Sequence, residues 1–313
     1  MSNVFTFLKW FFFPYRTDFT AEQIPDLTGR VVIVTGGNEG IGKETVKALL
    51  DRNARVYIAS RSKAKADAAI QQLHQLTGKQ AIFLELDLAS LSSVRRSAEE
   101  FLSKEPELHV LYNNAGVMWP AMEETTEEGF DLQFGVNVLG HFLFTELLVP
   151  ALAAGAASSP DQHSRVITVA SSASLLNTVN FDTLKDGPVR RQHSTESLYN
   201  QSKFLNVVVA RETAKRYADK HILSIPVHPG NIKTELMRTK AQWLRDLVGA
   251  TLLWPAAQGA LTQLWAGTMP EAIQYNAELL VAFVHVDKCR AEAYDPVLGE
   301  RVWSYLQEQV ARA

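Results

Sequence analysis

The feature that most constrains the fold of this chain is a regular alternation of short β-branched runs with longer stretches of helical character. The first run, Val31-Val32-Ile33-Val34, shows no alternation of polar and apolar residues, as is typical of a strand buried on both faces. Five more runs follow, each separated from the next by a helical stretch. Because strands that alternate with such helices form parallel sheets covered on both faces, the sequence predicts an α/β fold with one doubly wound sheet.

The predicted elements continue without an internal linker of domain size. We therefore expect a single Rossmann-type domain over residues 27–313, preceded by an apolar N-terminal arm over residues 1–26. The predicted strands cover residues 31–34, 55–59, 81–86, 110–112, 165–170 and 222–227. The predicted helices cover residues 43–51, 62–76, 91–104, about 130–152 and about 195–220, and residues 151–163 (ALAAGAASSPDQH) are predicted to form a surface loop.

Composition excludes several classes of function. The 313 residues are 46% hydrophobic and 21% charged, which is normal for a soluble globular domain with a sizeable core. The net charge of −3 gives no basic surplus, so we expect no nucleic-acid partner. The single cysteine, Cys289, excludes an internal disulfide and the common structural zinc patterns, and it favours an intracellular compartment. His285, Asp287 and Cys289 alternate and could share one face of a strand, but they do not predict a metal site.

The N-terminal arm contains a strongly apolar segment. Residues 4–15 read VFTFLKWFFFPY, with one charge at Lys9, and the segment is too short to span a bilayer. It also lacks the basic start and the small-residue cleavage site of a secretory signal. Two interpretations stay open. The arm packs on the body of the protein or on a second subunit of a homo-oligomer, or it inserts shallowly into a membrane surface. The protein is accordingly expected in the cytoplasm or peripherally associated with an internal membrane.

A glycine-rich turn joins the first predicted strand to the first predicted helix. Gly36 can make the sharp exit from the strand, Gly40 lets the backbone approach a pyrophosphate, and Gly42 lets the helix pack tightly on the sheet. The phosphates would lie at the helix N-terminus, where free N–H groups and the helix dipole favour anions. The spacing Gly-x-x-x-Gly-x-Gly differs from Gly-x-Gly-x-x-Gly, but its place between strand and helix predicts a dinucleotide site.

The end of the second strand indicates which dinucleotide binds. An acidic residue there would accept from the ribose 2′-hydroxyl of NAD, whereas an arginine suits the 2′-phosphate of NADP. Ser60 occupies the position expected for the acid, and Arg61 follows it, so NADP(H) is favoured over NAD(H). Glu39 in the glycine turn argues against a phosphate, and an ordinary surface role for Arg61 stays open. Asp87-Leu88 ends the third strand, close to the expected adenine.

Taken together, these motifs resemble the short-chain dehydrogenase/reductase family. The resemblance extends over about residues 27–268, with the motifs in the family's order and spacing. Within the family, the stretch from Tyr199 to Asn206 and the long segment before it look most like the retinol-dehydrogenase-like branch. The matching motifs are Thr35-Gly36-x-x-x-Gly40-Ile41-Gly42, Asp87-Leu88, Asn113-Asn114-Ala115-Gly116, Asn137, Ser171, Tyr199-x-x-x-Lys203 and Pro229-Gly230-x-x-x-Thr234.

The resemblance implies four catalytic residues. Tyr199 would be the general acid/base that protonates a carbonyl oxygen or takes an alcohol proton. Lys203, one helical turn later on the same face, would favour the tyrosinate together with the oxidised nicotinamide, and it would hold the nicotinamide ribose. Ser171 would hydrogen-bond the substrate oxygen, with Ser172 as the alternative, and Asn137 would hold a water that links Lys203 to solvent. His141, four residues after Asn137, is instead expected to be a packed or surface histidine.

The resemblance also implies a cofactor site and a substrate pocket. Trp119 and Met237 would line the pocket, and a segment over about residues 235–255 would form a lid over it. The apolar content of this segment suggests a hydrophobic substrate of retinoid, steroid, polyketide or terpenoid type. The implied cofactor-binding residues are Gly36, Asn38, Gly40, Ile41, Gly42, Arg61, Asp87, Leu88, Asn114, Ala115, Gly116, Tyr199, Lys203, Pro229, Gly230, Ile232 and Thr234.

The function that follows is an NADP(H)-dependent oxidoreductase that interconverts a carbonyl and an alcohol on a hydrophobic small molecule. An alternative of a different class is a non-catalytic NAD(P)-binding regulator or scaffold with the same fold. Members of that kind usually lose the tyrosine, the lysine or the serine, and this sequence retains Tyr199, Lys203 and Ser171.

Overall fold

The computed structural model describes residues 3–232 and 253–312, which form a twisted sheet covered by helices on both faces. In this part of the chain the strand order is β3-β2-β1-β4-β5-β6-β7-β8, with parallel pairing except between β7 and β8. This order confirms the predicted doubly wound fold. The strands are β1 (Val31–Thr35), β2 (Arg55–Ser60), β3 (Ile82–Glu85), β4 (Val110–Asn113), β5 (Ser164–Val169), β6 (Ile222–Val227), β7 (Leu279–Val281) and β8 (His285–Asp287).

The helices fall into two layers. α4, α5, α6 and α8 cover one face of the sheet together with the N-terminal helix α1, and α2, α3 and α7 cover the other face. Alternate residues of β1 enter the two cores, with Ile33 on one side and Val32 and Val34 on the other. The helices are α1 (Asn3–Phe12), α2 (Gly40–Asp51), α3 (Lys63–Thr77), α4 (Leu91–Lys104), α5 (Leu132–Ser158), α6 (Thr195–Arg216), α7 (Ala256–Thr268) and α8 (Pro296–Arg312).

The helix α5 differs from its prediction at both the C-terminus and the middle. The predicted loop over residues 151–163 is wrong in its first half, because the helix continues to Ser158. Alanine has the highest helix propensity, and Gly155 allows the helix to pack directly against the Leu108 carbonyl. In the middle, Gly135–Gly140 forms a π-helical segment, a feature that often marks functional sites. The window of α5 that is long and apolar enough to span a membrane is 72% buried, as expected for a core helix.

The N-terminal helix packs on the body of the protein. Trp10 is buried, its ring stacks on His228 with centroids 5.7 Å apart, and its Nε1 donates to Asp287 Oδ2 at 2.9 Å. Tyr15 stacks on His285 at 3.6 Å between ring centroids. His285 and Asp287, whose side chains share one face of β8 at the edge of the sheet, therefore hold the arm in place. These contacts match one of the two interpretations of the arm, that it packs on the body of the protein.

The structure also contains elements that the sequence analysis did not assign. β7 and β8 have three residues each, too short for a periodic pattern to appear. β7 pairs with β6 through Val227 and Leu280, and so extends the sheet beyond the six predicted strands. α7 packs against α2, and α8 packs against α6.

Candidate active site

A cavity of about 880 Å³ opens at the carboxyl ends of the parallel strands. It lies where the strand order reverses between β1 and β4, the position at which open α/β sheets bind ligands. Residues that directly follow β1, β2, β4, β5 and β6 line it, together with residues of α1 and α6. The sheet topology therefore gathers in one place residues that are far apart in the sequence.

The glycine turn after β1 is shaped to expose backbone N–H groups to this cavity. Gly36 and Gly40 have φ values of +66° and +56°, which residues other than glycine rarely adopt. A β carbon on Gly42 would overlap the Gly36 carbonyl oxygen and lie 2.6 Å from Asn114 Nδ2. Helix α2 begins at Gly40, and Glu39 at its N-cap makes no side-chain cap, so the first N–H groups of the helix can bind an anion.

The cavity beside the end of β2 carries two positive side chains. Arg61 and Lys65 both line it, next to Ser60. Lys65 Nζ lies 3.7 Å from Glu39 Oε2, so the carboxylate that argued against a phosphate has a cation beside it. Asp87 and Leu88, after β3, also line the cavity, and their contact with the adenine stays a prediction.

The segment after β4 is tied to the glycine turn by hydrogen bonds. Thr35 Oγ1 accepts from the backbone N–H groups of Asn114 and Ala115, each at 2.9 Å, and Asn114 Nδ2 donates to the Thr35 carbonyl at 2.8 Å. Thr35 Oγ1 also lies 2.9 Å from His141 Nε2. His141 is therefore a packed core histidine, as expected, and burial lowers its pKa to about 3. Asn114 and Gly116 both line the cavity, and the Asn114 side chain ties this part of the wall to Thr35.

Asn137 lies in the π-helical segment of α5 and is almost fully buried. Its Oδ1 accepts from the Val117 N–H at 2.8 Å, and its Nδ2 donates to the Val117 carbonyl at 3.1 Å and to Ser202 Oγ at 3.0 Å. Gly116 lies between Asn137 and Lys203, because a β carbon there would be 3.1 Å from Asn137 Oδ1 and 3.7 Å from Lys203 Nζ. Asn137 thus links α6 to the loop that follows β4.

Tyr199 and Lys203 project from the same face of α6 into the cavity. Lys203 Nζ lies 5.9 Å from the centre of the Tyr199 ring and donates to the Val169 carbonyl at 2.9 Å. Val169 is the last residue of β5, so this bond fixes the helix to the strand end that carries Ser171. The pair therefore lies where the motif spacing predicts it.

Burial controls the protonation of this pair. It raises the pKa of Tyr199 to about 12, against a smaller lowering by the hydrogen bond to Ser171. Burial also lowers the pKa of Lys203 to about 8. Tyr199 is consequently a neutral phenol at pH 7 and can donate a proton. The expectation that Lys203 and the oxidised nicotinamide together favour the tyrosinate concerns the protein with its cofactor bound and stays a prediction.

The two candidate serines after β5 are distinguished by position. Ser171 lines the cavity and hydrogen-bonds Tyr199, and its Oγ also accepts from the Ala173 N–H at 3.2 Å. Ser172 begins the short 3₁₀ helix that follows and is buried outside the cavity lining. The geometry favours Ser171 over Ser172.

Trp119 lies beside the tyrosine. Its ring meets that of Tyr199 edge to face, with centroids 6.3 Å apart, and it lines the cavity. The Trp119 backbone has a φ of +54°, and its N–H donates to Gln133 Oε1 at 2.9 Å. Gln133 also donates to the Thr195 carbonyl at the start of α6, so one amide side chain positions both aromatic residues.

The segment after β6 closes the cavity on the remaining side. Pro229, Gly230 and Ile232 line it, and Gly230 has a φ of +92°. Thr234, Met237 and most of the predicted lid over residues 235–255 lie outside the described residues. The described residues on either side of residues 233–252 meet at the cavity, since Ile232 forms a bridge with Trp254, and both Ile232 and Leu253 belong to the lining.

The structure adds residues that the sequence reasoning missed. Lys65 lies in the first turn of α3, close in sequence to Arg61, and lines the same cavity. His228 immediately precedes Pro229-Gly230 and could have been included with that motif. Phe7 and Phe11, one helical turn apart in the arm, also line the cavity. No sequence signal indicates that the arm lines the same cavity as Tyr199, because only the folded chain brings these remote segments together.

Comparisons with known proteins show which family the chain is similar to. A family model described as short chain dehydrogenase matches residues 30–183. A short-chain dehydrogenase/reductase of Armillaria gallica is 50% identical over 309 residues, covering 99% of this chain and 99% of that protein. Retinol dehydrogenase 11 of Homo sapiens is 35% identical over 280 residues, covering 88% of this chain and 84% of that protein.

Among solved structures, the Pseudomonas aeruginosa RhlG/NADP active-site complex aligns with a TM-score of 0.64 at 26% identity, covering 82% of this chain and 95% of that chain. The similarity to the Armillaria protein extends over nearly the whole of both chains. The chain therefore belongs to the short-chain dehydrogenase/reductase family of oxidoreductases, with its likeness to the retinol-dehydrogenase-like branch confirmed.

Proposed function

We propose that this protein is an NADP(H)-dependent oxidoreductase that interconverts a carbonyl and an alcohol on a hydrophobic small molecule. The observation that carries the proposal is the convergence of Ser171, Tyr199 and Lys203 on one cavity at the topological switch point. A hydrogen-bonded serine and tyrosine beside a buried lysine form a proton-donating site for a substrate oxygen.

The residues of the chain account for the proton side of this reaction. Ser171 orients the substrate oxygen, and the neutral phenol of Tyr199 donates a proton to it as the carbonyl is reduced. The nicotinamide, when bound, supplies the hydride. Lys203 holds the ribose hydroxyls and provides a positive charge beside the tyrosine after the proton has left. Asn137 is proposed to support the water that resupplies the proton through Lys203.

The cofactor preference rests on the end of β2. Ser60 replaces an acid that would repel a phosphate, and Arg61 and Lys65 present two cations to the same part of the cavity. Lys65 also lies beside Glu39 and offsets its charge. A 2′-phosphate bound here would meet two positive side chains, which supports NADP(H) over NAD(H).

The substrate preference rests on the cavity wall. The cavity lining includes apolar side chains from several segments, namely Phe7, Phe11, Val117, Trp119 and Leu253, and Trp119 meets the Tyr199 ring. A retinoid, steroid, polyketide or terpenoid carbonyl compound would bury its apolar skeleton against these side chains.

The proposal is tested by NADPH oxidation with a panel of apolar aldehydes and ketones. We expect turnover by the wild type and a loss of about 10²- to 10⁴-fold in kcat for Tyr199→Phe, because the acid is removed. NADPH binding, followed by its fluorescence, is the control for folding. Equal activity of the wild type and the variant would contradict the role of Tyr199. Binding of NADPH without turnover of any substrate would favour the scaffold alternative.

The outer face of α1 supports a further proposal about localisation. Val4, Phe5, Leu8, Phe12 and Phe13 are between 44% and 75% exposed, while the opposite face of the helix contacts the body. A short helix with aromatic side chains in solvent is suited to shallow insertion at a bilayer surface. We propose that this face makes a peripheral membrane contact. A second subunit covering it in a homo-oligomer stays the alternative.

A further inference from the structure

One buried polar group in the cavity has no role in the proposed reaction. His228 directly follows β6, is 2% exposed and belongs to the cavity lining. Trp10 covers one side of its ring, with the centroids 5.7 Å apart. The imidazole is therefore held in a fixed orientation between the N-terminal helix and the wall of the cavity.

Hydrogen bonding determines which nitrogen of His228 carries the proton. Nδ1 accepts from the Gly230 N–H at 3.4 Å. Burial lowers the pKa of the ring to about 3, so the imidazole is neutral at physiological pH. A neutral imidazole that accepts at Nδ1 carries its proton on Nε2. His228 consequently presents an Nε2–H donor.

This donor has no acceptor among the residues that the structure describes. The contrast with His141 is informative, because that histidine is equally buried but has both ring nitrogens in contact with partners, Thr35 Oγ1 and the Asn137 carbonyl. A buried N–H without a partner carries a desolvation cost, and such groups in folded proteins usually have a ligand or a water as partner. The position of His228 in the cavity lining points to a ligand.

We propose that His228 Nε2–H binds a second oxygen of the substrate, separate from the carbonyl oxygen held by Ser171 and Tyr199. The inference rests on the proposed function and narrows its substrate class. The substrate is an apolar carbonyl compound that also carries a hydroxyl, keto, ether or carboxylate oxygen. Phe7 and Phe11 contact its skeleton, while His228 selects for the second oxygen, since a substrate without it would leave the donor unpaired.

The test uses pairs of ligands that differ only in the second oxygen. Affinities of 1-alkanols and of the α,ω-diols of the same chain length, from six to fourteen carbons, are measured by calorimetry on the NADPH-saturated protein. NADPH cannot oxidise an alcohol, so binding is observed without turnover. The measured quantity is the ratio of the diol affinity to the alkanol affinity at each chain length.

For the wild type we expect this ratio to reach a maximum at the chain length that spans the two sites. His228→Leu removes the donor and is expected to lower the maximum by about 3- to 10-fold, as for the loss of one hydrogen bond. His228→Gln places an amide N–H near the position of Nε2 and is expected to retain the maximum.

Three results would overturn the inference. They are a wild-type ratio without a maximum, an unchanged maximum in His228→Leu, and a loss of NADPH affinity in His228→Leu without a change in the ratio, which would assign the donor to the cofactor. These results are separate from a failure of the proposed function, which would appear as an absence of NADPH-dependent carbonyl reduction by the wild type.

Discussion

Lys203 carries its amino group in the protein interior, with the Val169 carbonyl as hydrogen-bond acceptor. Burial lowers its pKa from 10.5 to about 8. In the unfolded chain the pKa returns to its ordinary value, so between pH 8 and 10.5 the unfolded state binds more protons than the folded state. Stability therefore rises with pH in this window, because the charged form that burial disfavours is being removed.

We predict that Lys203→Met abolishes this rise. From pH 7 to pH 10 the free energy of unfolding of the wild type should increase by about 2–3 kcal/mol relative to the variant, at about 1.4 kcal/mol for each pH unit between the two pKa values. Urea denaturation of both proteins at several pH values measures it. If the free energies of unfolding of the wild type and of Lys203→Met change in parallel with pH, Lys203 has an ordinary pKa in the folded protein.

Gly42 is required by packing and not by its backbone angles. A side chain there would collide with the Gly36 carbonyl and with Asn114, and would push α2 away from the end of β1. We predict that Gly42→Ala lowers stability by about 1–3 kcal/mol, as overpacking does, and weakens NADPH binding at least about tenfold because the N–H groups of the turn move.

Gly187→Ala is the matched control for this substitution. A β carbon at Gly187 would have no atom within 4 Å, and its φ is not in the left-handed region, so stability and NADPH binding should be unchanged. Thermal unfolding and NADPH fluorescence titration compare the two variants. Normal cofactor binding by Gly42→Ala would disprove the role assigned to the close approach.

At the scale of elements, α1 presents two apolar faces. One face contributes Phe7 and Phe11 to the cavity and Trp10 to the core, and the other face exposes Phe5, Phe12 and neighbouring residues. Trp10 anchors the helix through Asp287 and His228. If α1 makes the membrane contact that we propose, the helix keeps its place in the cavity wall, and the cavity lies close to a store of the apolar substrate that we propose.

We predict that Phe5→Ser/Phe12→Ser/Phe13→Ser reduces co-sedimentation of the protein with phospholipid vesicles by at least about fivefold. Phe5 and Phe12 are exposed on α1 and Phe13 is exposed directly after it, and shallow insertion scales with buried apolar area. Leu76→Ser, at an exposed leucine on α3, is the control and should leave co-sedimentation unchanged. A loss of dimerisation in the triple variant, with vesicle binding absent from the wild type, would support the subunit alternative.

At the scale of the whole molecule, the cofactor site joins elements from both halves of the sheet. The glycine turn and the end of β2 lie on one side of the switch point, and Tyr199, Lys203 and Pro229-Gly230 lie on the other. A ligand that contacts all of them stabilises the folded state only, so its binding free energy adds to the stability of the entire domain.

We predict that NADPH at 100 times its Kd stabilises the protein by about 2.7 kcal/mol, raising Tm by several degrees. Arg61→Ala and Lys65→Ala should each reduce the Tm shift caused by NADPH and leave the shift caused by NADH unchanged, since only NADPH carries the 2′-phosphate. Arg96→Ala, an exposed arginine on α4, is the control. A larger shift with NADH than with NADPH in the wild type would reverse the proposed preference.

Much of this molecule could be predicted from local sequence patterns. The six strands from β1 to β6 and the glycine turn follow from hydrophobic runs and residue spacing, because buried parallel strands and tight turns impose local requirements on residue type. Tyr199 and Lys203 could be placed on one helix face for the same reason: their separation is a single helical turn. The elements after residue 255 escaped prediction because short strands and mixed helices carry weak periodic signals.

The sequence by itself determined the fold class, the family and the residues that carry its motifs. Only the tertiary structure decided that the N-terminal helix forms a wall of the cavity, that Lys65 lies beside Glu39, and that His228 presents a buried donor. It also decided the protonation of Tyr199, since desolvation depends on all the chain segments that exclude water from a side chain. Motif spacing reflects contacts within one helix, strand or turn. Burial and cavity shape, in contrast, arise from contacts between segments that are remote in sequence.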